Sequence, residues 1–273
     1  MSRIAGRFQQ LAQQGRKALI PYVVAGDPGL EMTVPLMHRM VASGADIIEL
    51  GVPFSDPMSE GPVLQLGHER SLANGTGLRH VLQMVAEFRQ DDATTPVLLM
   101  GYANPVSHMG YAMFADAAAA AGVDALLTVD IPPEEVAPVN AELQRVGLDN
   151  IFLVAPTTPA ERIGRIVAMA SGFIYYVSLK GVTGAGHLDV ADVAHHLDLI
   201  RARTSLPVAV GFGIRDADSA RAVAGVADGV VVGSALVNAM ASAIEAGGDH
   251  EAAISAAVSL LAEIRQGIDS AAS

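Results

Sequence analysis

The feature that most constrains the fold is a regular alternation of short apolar runs with longer amphipathic segments. Each run has about the length of a strand buried on both faces, as strands of a parallel sheet are. The eight runs are Ala18–Val24, Asp46–Gly51, Pro96–Gly101, Ala125–Val129, Asn150–Val154, Phe173–Ser178, Pro207–Gly211 and Gly229–Gly233.

The segments between the runs have the three- and four-residue spacing of helices with one apolar face. They include the segment from Leu78 to Phe88, and also Glu31–Ser43, Tyr111–Ala121, Val136–Val146, Pro159–Ala170, Val190–Arg203, Asp216–Val226 and Ser234–Ala246. Two further segments predict an extra helix before the first strand, Arg3–Gln14, and another after the last strand, Glu251–Ala272.

Eight strand-then-helix units predict an α/β fold, a single (β/α)8 TIM barrel that occupies residues 1–273 as one domain. A doubly wound open sheet is the competing architecture. It is disfavoured because no Gly-x-Gly-x-x-Gly sequence follows the first run.

The composition excludes several functions. A formal net charge of −12 argues against nucleic acid and anionic membrane surfaces as partners, and requires any phosphate to be held locally. There are no cysteines, and no two histidines have a chelating spacing, so we expect no metal site. The first 14 residues lack an apolar signal core, and no apolar stretch reaches the roughly 18 residues of a membrane span. We therefore expect a cytoplasmic protein.

Glu49 is a carboxylate within an apolar strand, on the same face as Ile47. If that face points into the barrel, burial raises its pKa and suits it to acid and base catalysis. The alternative is a strand-end carboxylate that accepts hydrogen bonds from loop amides, and the residue spacing leaves both interpretations open.

Two connections that follow strands are long, Val52 to Thr76 and Leu179 to Asp189, and such loops build the active sites of barrels. The first connection carries Asp56 and Glu60, which supply either a second catalytic group or the acids of a solvated loop. From the residues of this connection alone, the solvated loop is favoured. In the second, Lys180 is either an imine-forming amine or a solvated lysine, and the solvated lysine is favoured.

Glycines cluster after the last three strands, in Lys180–His187, in Gly211–Ile214 and at Gly233 with Ser234. Loops after strands seven and eight frequently bind phosphate through backbone N–H groups and a helix N-terminus. The alternative is that these glycines only make tight turns. Because three adjacent loops agree, the sequence favours a phosphate site.

The sequence also carries a family's motifs, and on them the chain resembles the tryptophan synthase alpha subunits over roughly residues 15 to 240. The motifs are Leu19-Ile20-Pro21-Tyr22, Gly26-Asp27-Pro28, the string from Glu49 to Pro57, Met100-Gly101-Tyr102 with Asn104-Pro105, Asp130-Ile131-Pro132, Tyr175 with Ser178, Gly181-Val182-Thr183-Gly184, Gly211-Phe212-Gly213-Ile214 and Val232-Gly233-Ser234-Ala235.

The resemblance implies a lyase of tryptophan biosynthesis that cleaves indole-3-glycerol phosphate to indole and glyceraldehyde 3-phosphate. It implies no cofactor and no metal in this chain. It also implies a partner, the tryptophan synthase beta subunit, which carries pyridoxal phosphate and receives the indole through a tunnel in an αββα heterotetramer.

The resemblance further assigns roles to residues. Glu49 moves both protons, and Glu60 takes the place of an aspartate in the family, with one methylene more. Thr183 positions these carboxylates when a lid closes, although Leu179 and Lys180 replace the lid's usual Arg-Ala pair. The phosphate positions are Gly184, Gly213, Gly233 and Ser234. The indole walls are Tyr22, Met100, Leu127, Val129, Leu153, Tyr175, Phe212 and Val231.

Two rival functions stay open. One is a class I aldolase that forms an imine on Lys180. The other is a non-catalytic alpha-like protein that only activates its beta partner, with Glu60 as a sign of drift. Retention of Glu49, Thr183 and the glycine turns speaks against drift.

Overall fold

The computed structural model describes residues 2–178, 189–211 and 213–271. Eight parallel strands pair in chain order, and the first pairs with the last through Ala18–Pro21 and Gly229–Val232. The sheet is therefore a closed barrel, and an open sheet is excluded. The strands are β1 Ala18–Val24, β2 Ile48–Gly51, β3 Val97–Gly101, β4 Ala125–Thr128, β5 Asp149–Val154, β6 Ile174–Val177, β7 Val208–Gly211 and β8 Gly229–Val232.

Helices surround this barrel, and the predicted extra helices at both ends of the chain are confirmed. The helices in the described ranges are α1 Arg3–Gln13, α2 Thr33–Ala42, α3 Pro62–Ala73, α4 Leu78–Asp91, α5 Ala103–Met109, α6 Tyr111–Ala121, α7 Ala137–Val146, α8 Ala160–Met169, α9 Val190–Arg201, α10 Ala217–Ala224, α11 Ser234–Glu245 and α12 His250–Ser270. No helix within these ranges is long and apolar enough to cross a membrane.

Two of these helices, α3 and α5, were not predicted. The connection predicted to be a long loop from Val52 to Thr76 contains α3, so its irregular part is only about half as long. The buried residues of α3 are Leu64, Gly67, His68 and Ser71, a face without the apolar period that marks a helix. The other predicted loop, Leu179 to Asp189, lies almost wholly outside the described residues.

The side chains of β2 alternate between two cores. Ile47, just before the strand, belongs to a cluster inside the barrel, with Leu98 of β3 among others. Ile48 and Leu50 pack in a second cluster, between the sheet and the helices. Because successive side chains of a strand point to opposite faces, Glu49 points into the barrel.

The amino-terminal end of the barrel is closed by α1. Ile4, Phe8 and Leu11 are buried and belong to the inner cluster. The Phe8 ring lies 5.6 Å from the ring of Phe173, the residue before β6. These apolar contacts leave the carboxyl ends of the strands as the place where polar side chains enter the interior.

Candidate active site

Glu49 is fully buried on β2, in register with Tyr22 of β1 and Leu98 of β3. Among the described residues, neither of its carboxylate oxygens has a hydrogen-bond partner. The interpretation as a carboxylate held by loop amides is therefore not supported in this part of the chain. Burial, and secondly the charge of Glu60, raise the pKa of Glu49 to about 8. At neutral pH the side chain holds a proton.

Glu60 lies at the end of the loop that follows β2, and only 6% of the residue is exposed. The Tyr102 hydroxyl donates a hydrogen bond to its Oε2 atom. Burial raises the pKa of Glu60, and this hydrogen bond opposes the rise. Asp56 of the same loop is exposed and accepts a hydrogen bond from Ser55 at 2.6 Å. The solvated-loop interpretation thus holds for Asp56 and is wrong for Glu60.

The loop is attached to the residue that follows β3. The Phe54 ring stacks on the Tyr102 ring with their centroids 4.8 Å apart. The Ser59 N–H group donates to the Tyr102 hydroxyl oxygen at 2.9 Å. Farther along the chain, the His68 Nδ1 atom of α3 accepts the Phe54 N–H at 3.0 Å. These contacts fix the backbone on both sides of Asp56 and hold Glu60 above the barrel.

A cavity opens at the carboxyl ends of the strands, and Glu49 is not among its lining residues. Eight other predicted site residues line it: Tyr22, Glu60, Met100, Tyr175, Gly213, Val231, Gly233 and Ser234. Ser59, Leu64 and Ile214 complete its wall. Burial, and after it the charges of Glu60 and Glu49, raise the pKa of Tyr22, and burial and the charge of Glu49 raise the pKa of Tyr175. Glu49 thus acts electrostatically on both tyrosines, and it is in register with Tyr22 on the neighbouring strand.

Three of the predicted wall residues do not line this cavity. Leu127 is fully buried in the inner cluster, and Val129 and Leu153 are half-buried against it. Leu127 lies on β4 and Leu153 on β5, across the barrel from β8 and β1, and Val129 directly follows β4. Thr183, Gly184 and Phe212 fall outside the described residues, as do Leu179 and Lys180.

At one end of the cavity, the wall includes the backbone of two glycines, Gly213 and Gly233. Gly213 has a φ of 80°, a left-handed conformation that favours glycine. Gly233 caps α11, whose first N–H groups have no partner within the helix and carry its positive dipole end. A Cβ atom on Gly233 would lie 3.1 Å from Tyr22 Cδ1. Both glycines thus allow close backbone approach, as an anion requires.

Sequence reasoning did not assign a role to Tyr102 or His68. Tyr102 had an available signal, since it directly follows a strand at the carboxyl end of the barrel. His68 had none, because α3 was not predicted. In the ranges that the structure describes, no group of three or more His, Asp or Glu side chains could hold a metal ion.

The closed parallel barrel and the cavity at its carboxyl ends define an enzyme of the (β/α)8-barrel class. A family model described as tryptophan synthase alpha chain matches residues 8–267. The chain belongs to the tryptophan synthase alpha chain family, and it is a lyase of tryptophan biosynthesis that cleaves indole-3-glycerol phosphate.

Individual relatives agree with this assignment. The chain is 62% identical over 269 residues to the tryptophan synthase alpha chain of Thioalkalivibrio sulfidiphilus, covering 98% of this chain and 100% of that protein. The crystal structure of tryptophan synthase subunit alpha from Legionella pneumophila superposes with a TM-score of 0.91 at 45% identity and 99% coverage of both chains. A chain of Mycobacterium tuberculosis tryptophan synthase in an aminoacrylate-bound form superposes with a TM-score of 0.86 at 34% identity, and the match covers 98% of this chain and 100% of that chain.

Proposed function

We propose that Glu49 and Glu60 together carry the cleavage of indole-3-glycerol phosphate, with Glu49 moving both protons. The observation that carries this proposal is that Glu49 is buried without a hydrogen-bond partner in the described chain and is in register with Tyr22, which lines the same cavity as Glu60. An unpartnered buried carboxyl group is costly to stability, and such groups concentrate at functional sites.

The protonated state of Glu49 at neutral pH fits the first step. Its proton passes to C3 of the indole, which leaves the ring positively charged. The Glu49 carboxylate then takes the proton of the adjacent glycerol hydroxyl. The carbon–carbon bond breaks, its electrons return to the ring, and indole and glyceraldehyde 3-phosphate leave. A pKa near 8 keeps both proton transfers accessible to one side chain.

Glu60 stabilises the charge that this step creates. Protonation at C3 gives the indole N–H positive character, so an ionised carboxylate within hydrogen-bond reach lowers the barrier. Tyr102 donates to one Glu60 oxygen and leaves the other available for the substrate. The positively charged ring in turn favours ionisation of Glu60, whose pKa burial has raised.

The cavity accommodates the two ends of the substrate differently. Tyr22, Met100, Tyr175 and Val231 supply apolar surface for the indole. The family resemblance adds Leu127, Val129, Leu153 and Phe212 to the indole contacts. The phosphate binds at Gly213, Gly233 and Ser234, with Gly184 as a fourth contact. In a chain of net charge −12, backbone N–H groups and a helix dipole supply the attraction.

Membership of the family implies a beta subunit as partner, and alpha chains of this family do not themselves bind pyridoxal phosphate. We place that partner over the loop after β2, where Met58 is 83% exposed, and over α5, where Asn104 and His108 are exposed. The stacking of Phe54 on Tyr102 joins the two segments into one surface. In the proposed αββα assembly, indole passes through it to the pyridoxal phosphate of the beta subunit.

The test of the activity is indole release from indole-3-glycerol phosphate, followed with and without a beta subunit. We expect release in both cases and faster release in the complex. A substrate analogue without phosphate should bind far more weakly, and equal affinity for both would contradict the phosphate site. Titration calorimetry of the Asp56→Ala/Asn104→Ala double variant should show weaker beta-subunit binding, and unchanged affinity would count against this surface.

A further inference from the structure

His68 of α3 is a buried histidine that the proposed chemistry does not use. Only 1% of the residue is exposed. It lies beside two polar side chains of the site, Tyr22 and Glu60, although no sequence motif marks it. A polar side chain is buried at a cost unless its hydrogen-bonding groups are used, so the environment of both ring nitrogens is informative.

One ring nitrogen is an acceptor. The Phe54 N–H group donates to His68 Nδ1 at 3.0 Å, so Nδ1 carries no hydrogen. Burial lowers the pKa of His68 to about 4, which keeps the ring neutral. A neutral imidazole has one donor nitrogen and one acceptor nitrogen. The hydrogen of His68 is therefore on Nε2.

The donor nitrogen faces the catalytic side of the site. His68 Nε2 lies 3.4 Å from the Tyr22 hydroxyl oxygen and 3.7 Å from Glu60 Oε1. The first distance is within reach of a long hydrogen bond, and the second is an electrostatic contact. Tyr102 binds the other oxygen of Glu60, so the carboxylate has a polar donor on each side.

We propose that His68 is a positioning residue for Glu60, with its Nε2–H group orienting the carboxylate toward the substrate. The inference rests on the proposed function, in which Glu60 faces the indole N–H. Glutamate has one more rotatable bond than the aspartate of the family, so it needs more restraint to hold one geometry. Tyr102 restrains Oε2, and His68 restrains the side of Oε1 through its dipole and through the Tyr22 hydroxyl.

The competing role for His68 is purely structural: an anchor for the Phe54 backbone through Nδ1. Two substitutions separate the roles. The amide oxygen of asparagine lies near the position of Nδ1, so His68→Asn keeps the acceptor for Phe54 and loses the distal donor. The amide nitrogen of glutamine lies near the position of Nε2, so His68→Gln keeps the donor and loses the acceptor.

We expect His68→Asn in complex with the beta subunit to lower kcat for indole release on the order of 10-fold, with KM changed less than about 2-fold. His68→Gln should stay within about 3-fold of the unsubstituted kcat. The reverse ranking, or equal losses, would assign His68 to the Phe54 loop and overturn the proposal. A failure of the proposed function is distinct, since Glu60→Gln alone would then leave kcat for indole release unchanged.

Two further measurements guard the inference. In a Glu60→Gln background, His68→Asn should cause little additional loss of kcat, and the same 10-fold loss in both backgrounds would show that His68 acts independently of Glu60. The tautomer itself is read without any substitution from the ¹⁵N chemical shifts of the unsubstituted protein. A hydrogen on Nδ1 would contradict the proposal, even if both variants failed to fold.

Discussion

At the amino-terminal end of the barrel the buried carboxylates are paired with guanidinium groups, whereas at the carboxyl end Glu49 has no partner in the described chain. Asp46, just before β2, lies 3.1 Å from Arg265 of α12 and accepts the Leu19 N–H. Asp124, before β4, lies 2.8 Å from both Arg3 and Arg89.

The paired carboxylates at the amino-terminal end serve the stability of the barrel, and the carboxyl groups at the other end serve its chemistry. The paired carboxylates tie α1, α4 and α12 to the strands, because each joins residues far apart in the sequence. Glu60, in contrast, lies beside the Tyr102 hydroxyl, and no Arg or Lys of the described residues lies within salt-bridge distance of Glu49 or Glu60. A buried carboxyl group without a cationic partner destabilises the fold, and it also remains free to exchange protons with a substrate.

The largest expected effect is the loss of activity in Glu49→Gln. The amide retains the shape of the side chain but transfers no proton, so kcat for indole release should fall by about 10³-fold or more. Substrate binding, measured by calorimetry, should remain nearly unchanged. Turnover at the unsubstituted rate would remove Glu49 from the mechanism.

Asp46→Ala should produce the opposite pattern at the other end. It leaves Arg265 without one partner and Leu19 without its side-chain acceptor, at an expected cost of about 3 kcal/mol in the free energy of unfolding by urea. Activity well below the melting temperature should persist. Asp218→Ala, which breaks an exposed pair with Arg221, is the matched control and should cost less than about 1 kcal/mol.

Glu60→Gln should lower kcat on the order of 100-fold, since the neutral amide no longer balances the charge of the indole ring. We expect Glu60→Asp to lose activity too, because the loop after β2 holds the longer side chain against Tyr102. If Glu60→Asp turned over faster than the native chain, the glutamate would be a handicap and not a compensated change. If Glu60→Gln were silent, the second carboxylate would lie elsewhere.

The smallest expected effect is a pH dependence. A carboxyl group whose folded pKa is raised to about 8 binds a proton that the unfolded chain releases near 4.5, so the folded state loses stability as the pH rises between these values. From pH 6 to pH 8 the loss is on the order of 2 kcal/mol, and Glu49→Gln should remove it. Urea unfolding at both pH values measures the difference. Equal slopes for the two proteins would mean that Glu49 is ionised in the native state.

The barrel and one carboxylate could be predicted because both leave local signals. Buried parallel strands are short apolar runs, and the alternation around Ile47 fixes the face of Glu49. Helix α3 could not be predicted because a glycine, a histidine and a serine occupy much of its buried face. The burial of Glu60 could not be predicted because it depends on contact with Tyr102, 42 residues away in the sequence, and no local pattern encodes that contact.

The apolar closure of the barrel by α1 decides how molecules travel through it. Ile4, Phe8 and Leu11 make the interior a blind-ended cup, so a substrate enters and both products leave through one rim. Substrate and products must pass this rim one after the other. A protein bound over the rim would determine where a small apolar product goes next. The closed amino-terminal end thus leaves the carboxyl end of the barrel as the route for both entry and exit.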